Sequence, residues 1–300
     1  MFSFTKEQKI FDIQGISFGG QPGMYPTVLF GGLFFKGEPD FDDAKRHLLI
    51  ISELSKHTGT PVIPDIFIRK IEYVTPVISF IEKAIPKKLP FSVDIIDPSI
   101  KIEVLAQLAD RKLLKRTIYN SIHIGSTQQE IETLREYTPE MVIVVAFNPK
   151  DKSPDGKIEV LENGAHLTDK GLLELVRSIP VEKILVDTAA LTPGENSGAA
   201  IAAIPVIKEE YGLPTGCAIH NVVEKSRWLS DYPHAKKTVD VSSNSAISLF
   251  GGDFAIFGPI ENAELVVPLM SWHDILISEY TENYFSVNPV VTHPRRILGK

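Results

Sequence analysis

The chain has 300 residues, of which 43% are hydrophobic and 23% are charged, and its formal net charge is −7. These values are typical of a soluble globular protein, and the acidic balance excludes a basic field that would attract nucleic acid. Cys217 is the only cysteine, which excludes an intramolecular disulfide or a thiolate zinc cluster and favours a reducing, cytoplasmic compartment.

The N-terminal part of the chain predicts a short β-hairpin ahead of the main fold. Residues 1–24 contain the stretch KIFDIQGISFGGQPG, which we expect to cover one end of that fold. The start, MFSFTKEQKIF, lacks the basic residues, apolar run and cleavage site of a signal peptide. Apolar runs such as VIVVAF at 142–147 are too short to cross a bilayer, so we do not expect a membrane-spanning protein.

Eight short runs rich in β-branched residues alternate with segments of helical spacing. The runs lie at 25–35, 60–67, 90–96, 116–122, 141–148, 183–189, 216–221 and 254–260. The helical segments lie at 41–57, 73–84, 100–114, 127–137, 167–179, 197–212, 242–250 and 262–280. Near-continuous apolar character is expected of parallel strands that are covered on both faces.

This alternation predicts an α/β fold, a (β/α)8 TIM barrel with an N-terminal β-hairpin, in a single domain over residues 1–300. A doubly wound sheet is the alternative, because alternation alone does not prove that the sheet closes. Neither a Gly-x-Gly-x-x-Gly turn nor a Walker loop is present to support a nucleotide-binding fold.

Polar residues occur where several predicted strands end. They are Asp94, Asn120, Asn148, Asp187, His220 and Asn221. In a TIM barrel the chemistry sits at these strand ends. Asp94 and Asp187 lie within otherwise apolar runs, and burial of a lone carboxylate is costly without a partner or a ligand. Asn148, which precedes Pro149, also fits a simple Asx turn.

Carboxylates and amides without a cluster of metal-binding residues indicate a particular kind of pocket. Asp accepts hydrogen bonds, whereas Asn both donates and accepts, so the set suits a flat, neutral heterocycle such as the aminopyrimidinone edge of a pterin. No Lys or Arg ends a strand to bind a phosphate, and we predict no metal site. His123 and His220 are candidate bases, but the sequence offers no obvious acid to orient either, and Cys217 is interpreted as an inert core thiol.

Six stretches of the chain resemble one known family. They are FDIQGISFGGQPGMYPTVLFG, VDIIDP, IYNSI, VVAFNPKD, ILVDTAAL and YGLPTGCA, which follow in this order over nearly the whole chain. The chain resembles the H subunit of tetrahydromethanopterin S-methyltransferase and is similar to bacterial relatives that pair methylcorrinoid proteins with tetrahydrofolate. It is more distantly similar to the pterin-binding methyltransferases of acetogenic metabolism and to dihydropteroate synthase.

The resemblance implies a pterin at the barrel mouth and a methyl group that moves between the pterin N5 atom and the cobalt of a corrinoid. It implies pterin binding by Asp94, Asn120, Asn148, Asp187 and Asn221. Asn221, which would reach N5, and Asp187 are the implied catalytic residues. The implied co-substrate is tetrahydrofolate, with tetrahydromethanopterin as the alternative, and a homodimer is implied as well.

The resemblance places the cobalamin or related corrinoid on a separate partner protein, since this chain has no Asp-x-His-x-x-Gly stretch and no extra domain. We expect the partner to dock at the barrel mouth, against residues 149–167 and 221–237. Asp65 is followed by Ile-Phe-Ile-Arg where relatives carry a polar stretch, which puts a pterin or partner contact there in doubt. His220 likewise departs from the usual small residue.

These departures favour a stand-alone bacterial-type enzyme over a component of a membrane methyltransferase complex. Two other functions stay open. One is a condensation like that of dihydropteroate synthase, which would need a phosphate site near the last strands. The other is a pterin-binding scaffold protein without turnover.

Overall fold

The computed structural model of the protein describes residues 2–35, 37–191, 194 and 196–299. Within these residues, eight parallel strands close into a barrel, in which neighbours follow chain order and the last strand pairs with the first. A two-stranded antiparallel hairpin precedes the barrel. The predicted (β/α)8 barrel with an N-terminal hairpin is confirmed, and the doubly wound alternative is wrong.

The barrel strands coincide broadly with the predicted runs, whereas the helices at 154–162 and 233–243 were not among the predicted helical segments. The hairpin strands are β1 (Ile10–Ile13) and β2 (Ile16–Gly19), and the barrel strands are β3 (Val28–Phe35), β4 (Val62–Ile68), β5 (Phe91–Asp94), β6 (Thr117–Ile122), β7 (Met141–Val145), β8 (Lys183–Asp187), β9 (Thr215–Cys217) and β10 (Phe254–Pro259). The helices are α1 (Phe41–Thr58), α2 (Val74–Ala84), α3 (Pro98–Asp110), α4 (Gln128–Glu136), α5 (Pro154–Glu162), α6 (Leu172–Arg177), α7 (Gly198–Tyr211), α8 (His220–Glu224), α9 (Pro233–Ser243), α10 (Ser245–Leu249), α11 (Ala263–Phe285) and α12 (Pro294–Ile297).

The prediction was wrong at the seventh barrel strand. The run at 216–221 was expected to be extended throughout, but β9 ends at Cys217. Ile219 already has helical backbone angles (φ −61°, ψ −25°), and α8 begins at His220. A short apolar run does not distinguish a strand from the first turn of a buried helix, which explains the error.

Several helices begin or end at residues of the types that commonly cap helices. The side chains of Asp40, Asp97 and Thr127 each accept a hydrogen bond from a backbone N–H in the first turn of the helix that follows. Gly212 ends α7 in the left-handed region, where its N–H donates to the carbonyl of Lys208. These caps fix where the barrel helices start and stop.

The barrel interior is filled with apolar side chains, and the hairpin closes its lower end. Phe30 and Phe254 pack edge to face at 5.7 Å between ring centroids, and Phe18 of the hairpin lies 6.0 Å from Phe30. Ile13 and Phe18 are both buried against this interior cluster. The predicted position of the hairpin at the bottom of the barrel is therefore confirmed.

A buried ion pair ties the lower end of the barrel to the hairpin. Lys208 lies 2.5 Å from Asp253, with 0% and 7% of the two side chains exposed. Lys208 also donates to the carbonyl of Gly20, and the second carboxylate oxygen of Asp253 accepts from the N–H of Thr215. Each charged group of this pair thus has a second hydrogen-bond partner, as burial of two charges requires.

None of the helices in the described part of the chain has the length and apolar character needed to cross a membrane.

Candidate functional site

Polar residues take the interior positions directly above the apolar layer of the barrel. The successive interior positions are Ile63 and Asp65 on β4, Ile118 and Asn120 on β6, and Leu185 and Asp187 on β8. Side chains on a strand alternate between its faces, so residues two apart share the interior face. Asp94 stands beside Asn120 in the register of β5 and β6. On each of these three strands, one interior position thus carries an apolar side chain and the next interior position carries a polar one.

These side chains line an open cavity of about 370 Å³ at the carboxyl ends of the strands. Its polar lining consists of Asp65, Asp94, Asn120, Ser121, His123, Asp187, His220 and Asn221, and its apolar lining includes Phe34, Phe147, Leu191 and Ile256. Four of the five predicted pterin-binding residues, Asp94, Asn120, Asp187 and Asn221, are brought together here. The volume and mixed lining suit a flat heterocycle.

Asn148 is the predicted site residue that the structure does not bring to the cavity. Its side-chain amide donates to the carbonyl of Gly156 at 3.0 Å, and its oxygen accepts from the N–H groups of Lys150 and Asp151. These hydrogen bonds hold the loop between β7 and α5. The Asx-turn interpretation of Asn148 is therefore the correct one.

Two neighbouring carboxyl groups in the cavity hold their protons unusually strongly. Burial, followed by the charge of Asp65, raises the pKa of Asp94 to about 8, while the charge of Lys101 opposes this rise. Burial also raises the pKa of Asp65 to about 6. Asp65 Oδ2 accepts a long hydrogen bond of 3.5 Å from Asn120, whereas Oδ1 has no partner among the described residues. At neutral pH this side of the cavity therefore offers a protonated Asp94 as a donor and an ionised Asp65 as an acceptor.

Asp187 supplies a second acceptor, and a left-handed turn holds it in place. The N–H of Ala189, which has φ +55°, donates to Asp187 Oδ1 at 2.7 Å. Burial raises the pKa of Asp187 to about 6, and the Ala189 N–H and the charge of Lys157 oppose this rise. Asp187 is therefore ionised at neutral pH, with its second oxygen available to a ligand.

A buried network behind Asn120 fixes the wall of the cavity. Lys101 and Glu130 are 2.9 Å apart, with 2% and 1% of their side chains exposed. Lys101 also donates to the carbonyl of Ser121 at 2.9 Å, while Glu130 accepts from the Tyr119 hydroxyl at 2.6 Å. This network explains how a strand that ends in polar residues keeps its end in a defined place.

His220 and Asn221 line the opposite wall, at the start of α8. Both carboxylate oxygens of Asp240, on α9, lie within hydrogen-bond distance of His220 Nδ1, at 2.8 and 3.0 Å. Asn221 is exposed at the open mouth. The acid that orients His220 was not evident in the sequence, because twenty positions and a change of helix separate the two residues.

A family profile described as the tetrahydromethanopterin S-methyltransferase MtrH subunit matches residues 6–290. This chain belongs to that family. The MtrH relative from Methanothermobacter thermautotrophicus, named as the H subunit of tetrahydromethanopterin S-methyltransferase, is 36% identical over 308 residues, which cover 98% of each chain. The relative of the same name from Methanosarcina acetivorans is 34% identical over 300 residues, which cover 93% of each chain.

Among solved structures, a dihydropteroate synthase from Coxiella burnetii in complex with pteroic acid has the same fold. Its TM-score is 0.60 at 11% identity, and the match covers 91% of this chain and 99% of that one. At this identity the likeness concerns the architecture alone. It agrees with the closed barrel described above.

In this member of the MtrH family, the cavity contains one lining residue that the sequence reasoning placed in doubt. Asp65 faces the cavity beside Asn120, although the residues that follow it on β4 are not polar. Its signal in the sequence was a single carboxylate within the apolar run VIPDIFI. The cost of burying such a group is the same clue that singled out Asp94 and Asp187.

One group of side chains away from the cavity could reach a cation. Ligand atoms of Asp43, His47 and Glu261 lie within 4.8 Å of one another. Asp43 is already paired with Arg46 and lies 3.5 Å from His47. Since none of the three lines the cavity, this group has no part in its chemistry.

Proposed function

We propose that this protein transfers a methyl group between N5 of a tetrahydropterin and the cobalt of a corrinoid that another protein carries. The observation that supports it is the convergence of Asp65, Asp94, Asn120 and Asp187 in one cavity, in a chain that belongs to the MtrH family. Two of its relatives are named as components of a methyltransferase.

The four polar groups match the hydrogen-bonding edge of a pterin. The ring N–H and the exocyclic amino group are donors, for which ionised Asp65 and Asp187 are acceptors. The ring carbonyl and the ring nitrogen beside the amino group are acceptors, for which Asn120 and protonated Asp94 are donors. Hydrogen bonds to charged groups are the stronger kind, so the two carboxylates contribute most to affinity.

Asn221 is the proposed contact to N5. N5 is a poor leaving group until it gains a proton or a strong hydrogen bond, and in the reverse direction it is the nucleophile. A positioned amide can accept from N5 in one state and donate to it in the other. Alignment of N5, the methyl carbon and cobalt in a line is the other requirement, and the protein meets it by fixing the ring.

The corrinoid protein is proposed to dock over the cavity mouth, against the segments at 149–167 and 221–237. The second segment begins at Asn221 in the cavity wall and presents an exposed pair of aromatic side chains. Trp228 and Tyr232 are 62% and 59% exposed, and their rings pack at 6.3 Å between centroids. Aromatic side chains of this kind are frequent anchors in protein interfaces. A homodimer and a cytoplasmic location remain part of the proposal.

A direct assay tests the transfer. The purified protein is mixed with methylcob(III)alamin and tetrahydrofolate, and the absorbance spectrum is followed for the appearance of cob(I)alamin. We expect turnover with tetrahydrofolate; turnover with tetrahydromethanopterin alone would assign the protein to the pterin for which its relatives are named. A spectrum that stays unchanged with both pterins, and with free and protein-bound corrinoid, would refute the methyltransferase proposal.

Asn221→Ala is expected to slow methyl transfer by roughly 100-fold or more while pterin affinity changes by only a few-fold, because the amide acts on N5 during the reaction. Single-turnover rates and pterin titration by fluorescence separate the two effects. The control is Asn283→Ala, at an exposed position of α11. An equal loss in affinity and rate would reduce Asn221 to a binding residue.

A further inference from the structure

We infer that His220 carries the proton that N5 of the pterin gains when its methyl group leaves, and that Asp240 is the residue that positions it. This inference rests on the proposed methyl transfer. It concerns a residue of the cavity wall to which that proposal gives no part, so it goes beyond the hydrogen bond assigned to Asn221.

The hydrogen bonds of His220 define which ring nitrogen is free. Nδ1 faces both oxygens of Asp240, and the Asp240 side chain is only 12% exposed. A carboxylate accepts hydrogen bonds, so Nδ1 keeps its hydrogen and donates it to Asp240. Nε2 has no hydrogen-bond partner among the residues that the structure describes, and it is left to exchange a proton with a ligand.

The imidazole ring of His220 packs directly against the backbone of a glycine on β10. Gly258, on β10, has φ +81°, and a Cβ atom at this position would overlap Cγ and Cδ2 of the His220 ring. There are therefore two reasons for a glycine at this position: the positive φ angle, and the space that the imidazole ring occupies. The ring is held between Gly258 and Asp240, which fixes it in the cavity wall.

His220 lies across the cavity from Asp94 and the pyrimidine-binding side. β9, which leads into His220, lies four strands away from β5 in the eight-stranded barrel, directly across from Asp94. A pterin whose pyrimidine edge is held by the four polar groups on β4, β5, β6 and β8 would turn its other ring toward the wall at β9 and β10. His220 and Asn221 stand together on that wall.

The transfer requires a source of one proton at N5. When cob(I)alamin attacks the methyl carbon, the C–N5 bond breaks, its electron pair stays on N5, and N5 takes up one proton. Imidazolium at His220 supplies this proton from Nε2 and becomes neutral imidazole. In the reverse direction N5 attacks the methyl group on Co(III), the Co–C electron pair returns to cobalt, and neutral His220 takes the N5 proton.

Other side chains of the cavity are less suited to this step. The amide of Asn221 donates and accepts hydrogen bonds but does not give up a proton under these conditions. His123 uses Nδ1 to accept from the N–H of Gly125, and it follows β6, on the side of the pyrimidine edge. Asp187 is assigned to the pyrimidine edge, where it serves as a hydrogen-bond acceptor.

The test compares His220→Gln and His220→Ala with His234→Gln, an exposed histidine of α9, in the full-length chain. We expect both His220 variants to lose roughly 100-fold or more in the single-turnover rate of demethylation of methyltetrahydropterin, the usual range for general acid catalysis. Pterin affinity should stay within about threefold of wild type. Added imidazole should restore at least part of the rate of His220→Ala, whereas it should leave Asn221→Ala unchanged.

Two variants that leave the imidazole in the chain test its positioning. Asp240→Asn and Gly258→Ala should each slow transfer by roughly 10-fold or more without loss of pterin affinity. Three results would each overturn the inference. The His220 variants could transfer the methyl group within about threefold of the wild-type rate, their loss of rate could be explained by weaker pterin binding, or imidazole could leave the rate of His220→Ala unchanged. If wild-type protein itself shows no transfer, the proposed function fails instead.

Discussion

Replacement of Lys101 by methionine is expected to lower the free energy of unfolding by about 3–5 kcal/mol, the loss typical when one partner of a buried ion pair is removed. Glu130 would stay buried without its cation, because 1% of its side chain is exposed. Its remaining partners, the hydroxyl groups of Tyr119 and Ser126, do not neutralise its charge. The carbonyl of Ser121 would lose its donor as well.

Chemical denaturation monitored by fluorescence measures this loss, and Lys170→Met is the matched control. Lys170 pairs with Glu174 at 2.7 Å, but both side chains are more than half exposed, so this variant should unfold almost as wild type does. The double variant Lys101→Met, Glu130→Gln should recover part of the stability, because no charge then stays buried. Equal losses in Lys101→Met and Lys170→Met would show that burial does not set the strength of the Lys101 pair.

Asp187→Asn is expected to weaken pterin binding by roughly 10- to 100-fold and, at the same time, to stabilise the unliganded protein. The affinity falls because hydrogen bonds from the ring N–H groups to a charged acceptor, which contribute about 1.5–3 kcal/mol each, are replaced by weaker ones to a neutral amide. The stability rises because the carboxylate is buried at a cost: its pKa increases from 3.8 to about 6, which corresponds to about 3 kcal/mol. That value is an upper limit, because asparagine must also be buried.

The sign of the pH dependence follows from the raised pKa of Asp187. Folded protein holds the proton more tightly than unfolded protein does, so ionisation of Asp187 lowers the stability of the fold as the pH rises from about 4, and this loss is complete above about pH 6. The advantage of Asp187→Asn should therefore be present at about pH 8 and disappear as the pH falls to about 4. Denaturation curves at these two values, with pterin titrations at the higher one, measure both effects. A variant that loses affinity without gaining stability at the higher pH would contradict the proposed cost of the carboxylate.

The repeating part of the molecule was predictable because its signal repeats. Each barrel strand is covered on both faces, so its apolar run is visible in the sequence, and caps such as Asp97 and Gly212 mark the helix ends. The carboxylates of the cavity were visible for the opposite reason, since Asp94 and Asp187 interrupt such runs. Burial thus made both the fold and the acidic part of the site predictable.

What the sequence did not reveal depends on orientation and on distant contacts. Asn148 follows a strand much as Asn120 ends one, but its side chain turns into the loop toward Gly156. Asp65 looked unsupported because its chain neighbours are apolar, yet its partner is Asn120 on another strand. The pairing of His220 with Asp240 depends on how α8 and α9 pack, which no local pattern determines.

Among the described residues, the filled interior and the hairpin close the lower end of the barrel, and the cavity opens at the carboxyl ends of the strands. In the proposed reaction the pterin binds inside the cavity and the corrinoid protein docks over its opening, so both use the same side of the barrel. For the proposed docking site we expect a compulsory order of addition, in which the pterin binds before the corrinoid protein and the product pterin leaves after that protein has dissociated. The lifetime of the protein–protein complex then sets an upper limit on turnover, so tight docking would work against speed.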